Sequence, residues 1–430
     1  MKRLLLAAGM TLAFTAGAQA QTVNILMENV PDTHFVQDLL PEFKAQTGID
    51  VQIEAISYID MHSKLVPQLS APTGSYDAIV VDFYWVAEFT QANNGAGWLM
   101  PLDDLIKKDN VDTSVYVPSL MNLVGKVNGV TYMLPFYNYS MGIIYRKDML
   151  EDPKEQAAFK AKYGIDLKIP ATWDEYRKQV EFFSRDTDGD GKIDFYGTIN
   201  QGQRGDCISM QWSNYLYANG GQYHDANWKA TFNSDAGIKA VNDFKDDIAK
   251  HGPTGAESFC FDEASSVFAQ GKAYSFVTFN VLFAGFNDPA NSQVVGKAGI
   301  APNPGGGLNG GWGWAIPNSS QDKESAWKFI KWVESKEIVK KRTLAGGAPT
   351  QGWVFDDADV AAKRPEMGHL KTLVATAQEF PTFTYTVDMV EALGRELNLA
   401  VTGQKDAKEA LDAAAVEFNK LAKKDGLLKE

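Results

Sequence analysis

An α/β architecture of two doubly wound lobes is what this 430-residue sequence predicts, on three observations. Strand-like and helical patterns alternate from Val23 to Val81, the alternation resumes after Arg146, and the length exceeds the ~100–200 residues usual for one core.

Before the first strand, Met1-Lys2-Arg3, an apolar run from Leu4 to Gly17 and Ala18-Gln19-Ala20 follow the order of an export signal cut after Ala20. The run is too short to span a bilayer, and Gln21 is no lipid-bearing cysteine. No later segment approaches a membrane span, so the expected location is the periplasm.

Val23–Met27 reads as the first strand and Glu28–Thr33 as a polar turn. His34–Thr47 places Phe35, Leu39, Leu40 and Phe43 at helical spacing before Gly48. Ile49–Ile56 alternates as a second strand, Tyr58–Leu69 is helical, and Tyr76–Val81 is a continuous apolar run expected of a fully buried strand. Such a unit forms a parallel sheet whose ligands sit beyond the strands' carboxyl ends, here residues 27–32, 57–60 and 82–86. Asn128-Gly129 turns between two short strand-like runs, and Pro135 leads into the aromatic cluster Phe136-Tyr137-Asn138-Tyr139.

Met141–Tyr145 and Tyr196–Asn200 are strand-like, as is Ala273–Phe279; Trp173–Phe183, Ser209–Asn219 and Ala236–Lys250 are helical. Ser266–Gly271 closes another helix. Ile300-Ala301-Pro302 enters the loop Asn303–Gly311, followed by Trp312–Pro317 and the helical segments Lys323–Glu334 and Asp406–Lys424.

The 41 basic and 54 acidic residues give a net charge of −13, a balance unsuited to holding nucleic acid or an anionic membrane. GxSxG, HExxH and GxxxxGK[ST] motifs are absent, so neither a common hydrolase nor a phosphate loop is indicated. Cys207 and Cys260 either pair in an oxidising compartment or lie apart as buried thiols. Asp186, Asp188, Asp190, Lys192 (through its carbonyl) and Asp194 reproduce the first nine positions of a calcium loop, with Gly191 at the sharp turn. Gly197 stands where the bidentate glutamate belongs, leaving that ligand to Glu181 or a distant carboxylate. This loop is a candidate structural calcium site; no cofactor is required.

Aromatic residues recur in polar loops beside Asp, Asn and Gln, a combination suited to a neutral polyhydroxy ligand: rings cover C–H faces while polar side chains bond hydroxyls. Trp173, Trp228, Trp327 and Trp332 sit in helical patterns and are assigned to packing.

Phe43–Ile49, Gly129–Phe136, Tyr145–Leu150, Pro170–Glu175, Phe268–Ala273, Gly310–Trp314, Ala326–Ile330 and Gly346–Thr350, in this order, resemble the extracellular solute-binding proteins of family 1. The resemblance implies a type 2 periplasmic binding protein, with two lobes, a hinge and an interlobe cleft. The first lobe takes 21–136 and 279–343, the second 137–278 and 344–430. It implies ligand contacts at Glu28, Asn29, Asp82, Tyr84, Trp85, Asn138, Tyr139, Met210, Gln211, Asn214, Phe279, Asn280, Gly311, Trp312, Gly313 and Tyr385. It further implies a monomer that delivers a neutral sugar or polyol to the permease of an ABC importer. Tyr137-Asn138-Tyr139 departs from the maltodextrin pattern, which carries a glutamate there, and leaves a smaller sugar or a sugar alcohol open. The alternative of an anionic sugar derivative needs a cleft cation, and Arg204 is the basic residue near these positions.

Overall fold

The computed structural model describes residues 21–92 and 95–429; the expected export signal at 1–20 lies outside the described residues. Strands β1 (Thr22–Glu28), β2 (Asp50–Ile56) and β3 (Ala78–Asp82) pair in parallel, with β1 central. Every residue of β3 is buried, as its unbroken apolar run requires of a strand covered on both faces. The helix between β1 and β2 spans Pro31–Thr47. It begins three residues before the expected His34 because proline, lacking an N–H, fits the first helical turn. Gly48 ends it in the left-handed region at φ 74°, donating to the Lys44 carbonyl. The next helix is Tyr58–Ser70.

β4 (Leu134–Asn138) and β5 (Met141–Arg146) carry the chain out of this lobe. In the second lobe β5 lies beside β7 (Ala273–Phe279), which pairs in parallel with β6 (Tyr196–Ile199). β8 (Ala298–Pro302) pairs antiparallel with the other edge of β5, Ile300 opposite Ile144. β9 (Gly311–Ala315) returns to the first lobe and inserts antiparallel between β3 and β4. The sheets therefore run β2-β1-β3-β9-β4 and β8-β5-β7-β6.

This topology corrects the expected boundaries. Ala298–Pro302, placed in the first lobe by the expected boundaries, belongs with the second, because β8 completes its sheet, and the return crossing is Asn303–Gly310. A third crossing falls later than 344. Ala348 still accepts from the Asn138 amide at 3.1 Å, and Thr350 from Val117 at 2.9 Å, so the chain leaves the first lobe beyond Gln351. The first two crossings run side by side, Tyr139 N–H to Gly310 at 3.0 Å and Met141 N–H to Leu308 at 2.8 Å.

Apolar cores fill each lobe. Phe43, Trp314 and Phe329 pack edge-on in the first, with Phe136 tilted against Trp314; Trp173, Tyr215 and Phe244 pack edge-on in the second, with Tyr176 tilted against Trp173. A disulfide joins Cys207 and Cys260, with their Cα atoms 5.4 Å apart.

Candidate ligand-binding cleft

The first-lobe wall is assembled at strand ends. β1 ends on Glu28 and β3 on Asp82, which caps the helix Phe83–Gln91 by accepting the Tyr84 N–H at 3.3 Å. Sheet register sets Trp312 beside both Asp82 and Tyr137, and the Tyr137 hydroxyl donates to Glu28. Trp85 meets Trp312 edge-on at 5.4 Å and stacks with Tyr58 at 5.7 Å.

The second lobe supplies the facing wall. Tyr58 reaches across, donating to Asp206 at 2.8 Å and meeting the Phe261 ring at 5.8 Å. Phe261 leads to Phe279, which stacks with Tyr139. The helices Phe83–Gln91 and Thr386–Val401 pack against each other, so the two lobes are closed together. A cavity of about 240 Å³ remains at the seam, lined in part by Tyr58, His62, Trp85, Arg204, Asp206 and Glu391.

The buried polar atoms of these walls are incompletely paired. Asp82 Oδ2, Tyr84 Oη, Gln211 Nε2 and Trp312 Nε1 have no hydrogen-bond partner among the described residues. Burying such groups unpaired costs roughly 1–3 kcal/mol each, so a ligand that pairs them gains correspondingly. Burial raises the pKa of these acids, and neighbouring carboxylates add to the rise. Burial lifts Glu28 to about 7; the Tyr137 bond opposes the rise, and Asp262 and Asp32 add to it. Burial also pushes Asp82 far up, reinforced by Glu28 and Asp206 despite the Tyr84 amide. Arg204, a cation at the seam, is exposed and lies 4.0 Å from Glu391.

Of the residues expected here, Glu28, Asp82, Tyr84, Trp85, Tyr139, Phe279 and Trp312 are brought together through these contacts. Gln211 lies on the second-lobe helix Asp206–Ala218, its Oε1 accepting from Gln201. The asparagines serve the hinge instead. Asn138 and Asn280 bracket Ser140, whose N–H is bonded by Asn280 Oδ1 at 2.9 Å, while Ser140 Oγ donates to Asn309. Asn214 accepts from the Leu308 N–H and donates to the carbonyls of Met210 and Gln211, so its amide is spent on the second crossing. Met210 is fully buried one turn before it.

Gly311 and Gly313 face away from Trp312: a Cβ there would lie 2.9 Å from Val124 and 2.6 Å from Met133. Their role is close packing under the strand. Asn29 is exposed and lines a separate hinge-side groove with Lys147 and Arg364. Tyr385 packs on Phe383 under Lys424, and the seam is lined instead by the following Thr386 and Val387. Tyr58, Tyr137, Asp206 and Phe261 were not among the expected contacts. Tyr58 lies within the 57–60 strand-end loop that the sequence marks, and Tyr137 within the aromatic cluster; Asp206 and Phe261 carry no local signal beyond adjoining the two cysteines.

Residues 28–340 match the pattern of the bacterial extracellular solute-binding proteins, most of the chain's length. The chain belongs to that family. Among the relatives of this solute-binding protein, a mannitol-binding protein of Pseudomonas aeruginosa is 25% identical, the alignment covering 96% of each chain. A probable amino-acid ABC transporter periplasmic-binding protein of Sinorhizobium fredii is 24% identical over 90% of this chain and 86% of its own. A solute-binding protein of Agrobacterium radiobacter K84, solved with ribitol, superposes with a TM-score of 0.80 at 28% identity, covering 93% of this chain and 98% of that one.

In this solute-binding protein the acidic loop stands apart from the cleft. Oxygens of Asp186, Asp188 and Asp190 lie within 4.8 Å of one another, all exposed. Each is already engaged by its own turn: Asp186 accepts from Gly189 and Gly191, Asp188 from Asp190, and Asp190 from the Lys192 N–H at 2.8 Å. Asp194 is held by Thr187 through N–H and hydroxyl. No helix of the described residues is long and apolar enough to cross a membrane.

Proposed function

We propose that this protein captures a small, neutral polyhydroxy compound, a sugar alcohol or monosaccharide, between its lobes and presents it to an ABC importer. One observation carries the reading. The unpaired buried atoms comprise donors (Trp312 Nε1, Gln211 Nε2) and two groups that can donate or accept, the Asp82 carboxyl at Oδ2 and the Tyr84 hydroxyl. A hydroxyl both donates and accepts, and vicinal hydroxyls present that mixture along one short chain. The rings of Trp85, Trp312 and Tyr139 suit the carbon backbone.

An anionic ligand, or an amino acid with its carboxylate, needs a buried cation; the seam offers exposed Arg204, already facing Glu391. The mannitol-binding relative and the ribitol-bound neighbour favour the same class of ligand. Small size is favoured by the same two proteins, whose ligands are single sugar alcohols. Micromolar capture requires about 8 kcal/mol, within reach of the hydrogen bonds and ring contacts available. Ligand selects the closed state by touching both lobes. In this reading the protein is exported after cleavage at Ala20, acts as a monomer, docks closed on its permease, and turns nothing over.

Thermal unfolding and calorimetry with ribitol, D-mannitol, erythritol, D-glucose, maltose, glycerol 3-phosphate and glycine test it. A polyol or monosaccharide is expected to raise Tm in proportion to the logarithm of its concentration. A shift with glycerol 3-phosphate or glycine alone would overturn the reading.

A further inference from the structure

Asp206 and Phe261 are the two second-lobe groups that hold Tyr58, and each adjoins a cysteine of the disulfide. Asp206 precedes Cys207 at the start of the helix Asp206–Ala218; Phe261 follows Cys260 at the start of the helix Phe261–Ala269. The carboxylate accepts the Tyr58 hydroxyl at 2.8 Å, and the ring meets that of Tyr58 edge-on at 5.8 Å. Both sulfur-bearing residues are buried. Other ties between these segments lie upstream, Gly202 N–H to Ala256, Gln203 N–H to Phe259, and Asn398 Nδ2 to the carbonyls of Gly202 and Glu257; the disulfide is the tie next to the socket. On its own lobe Tyr58 stacks with Trp85 and lies edge-on to Trp312, the rings of the ligand wall.

We propose that the Cys207–Cys260 disulfide is a positioning element for ligand retention: it fixes the spacing of Asp206 and Phe261, and so the socket into which Tyr58 closes. The socket forms when the lobes meet, so its fit acts on opening more than on encounter. Slower opening means slower release, with association little changed. The inference rests on the proposed function, because retention is read through a bound polyol.

The experiment is stopped-flow dissociation by tryptophan fluorescence, with ribitol and D-mannitol as probes. It compares wild type, Tyr58→Phe, the pair Cys207→Ser/Cys260→Ser, and their combination. Tyr58→Phe and the serine pair are each expected to release the probe about tenfold faster, the size expected for one lost hydrogen bond to a carboxylate, with association unchanged. Acting through one socket, the combined protein should release no faster than either. A merely structural bridge would lower the melting temperature yet leave release unchanged, or its effect would multiply with that of Tyr58→Phe; either result overturns the inference. If circular dichroism shows the serine pair unfolded, folded wild type and Tyr58→Phe reduced with a phosphine just before mixing provide the same comparison. Where oxidised wild type binds neither probe, erythritol and D-glucose replace them; binding of none of the four overturns the proposed function and this inference with it. Binding indifferent to the bridge overturns the inference alone.

Discussion

Asp82 shows how a single carboxyl serves two ends. One oxygen caps a helix and the other waits unpaired in the cleft, with burial first, then Glu28 and Asp206, raising its pKa. Asp82→Asn keeps a capping oxygen and puts an amide nitrogen where the unpaired carboxyl oxygen stood. It is expected to weaken polyol binding about tenfold, measured by calorimetry, with the helix cap retained. Trp312→Phe keeps a ring but removes the unpaired Nε1, and should weaken binding several-fold with the fold intact by circular dichroism. Glu28 supplies a pH test. Its pKa rises from 4.5 to about 7 in the closed fold, so the folded protein retains a proton that the unfolded chain releases. Stability from this group is fully present below about 4.5 and is lost as pH climbs through about 7. Asp32 and Glu334 are also raised by burial, so the contribution of Glu28 is the difference between wild type and Glu28→Gln. Melting temperatures from pH 5 to 8 should fall less steeply for the variant.

Among the elements, β1 to β3 and their helices were legible because apolar period and stop residues are local properties. The strand-end rule then marked Glu28, Asp82, Tyr84 and Trp85 without any knowledge of the partner lobe. The course of Ala298–Pro302 was not legible: pairing partner and strand direction are not written in a local pattern, so the β8–β5 pairing could not be foreseen. Nor could the asparagines be sorted, since a buried amide suits a ligand and a hinge alike. The acidic loop fits calcium in composition, and oxygens of Asp186, Asp188 and Asp190 converge within 4.8 Å while also bonding the turn's amides. Chelator is expected to lower Tm and added calcium to restore it; no change would mark a bare turn. Buried Arg342 bonds Glu334 at 2.8 Å, and Glu334 also accepts from Trp314 Nε1. Arg342→Ala should cost about 3–5 kcal/mol in urea unfolding, because it strands the glutamate.

For the whole molecule, the crossings at Asn138–Met141 and Asn303–Gly310 are bonded edge to edge, which suits them to bend as one strap while each lobe stays rigid. Small-angle scattering should show a smaller radius of gyration with saturating polyol than without. The insertion of β9 between β3 and β4 also bears on how the protein is made. Its neighbours in the sheet end at Asp82 and Asn138, whereas β9 starts at Gly311. A nascent chain delivered end-first must keep those two edges apart, open and apolar until the last third arrives. Neither half of the sequence, expressed alone, can complete a sheet, and the first lobe closes only once most of the polypeptide is available to it.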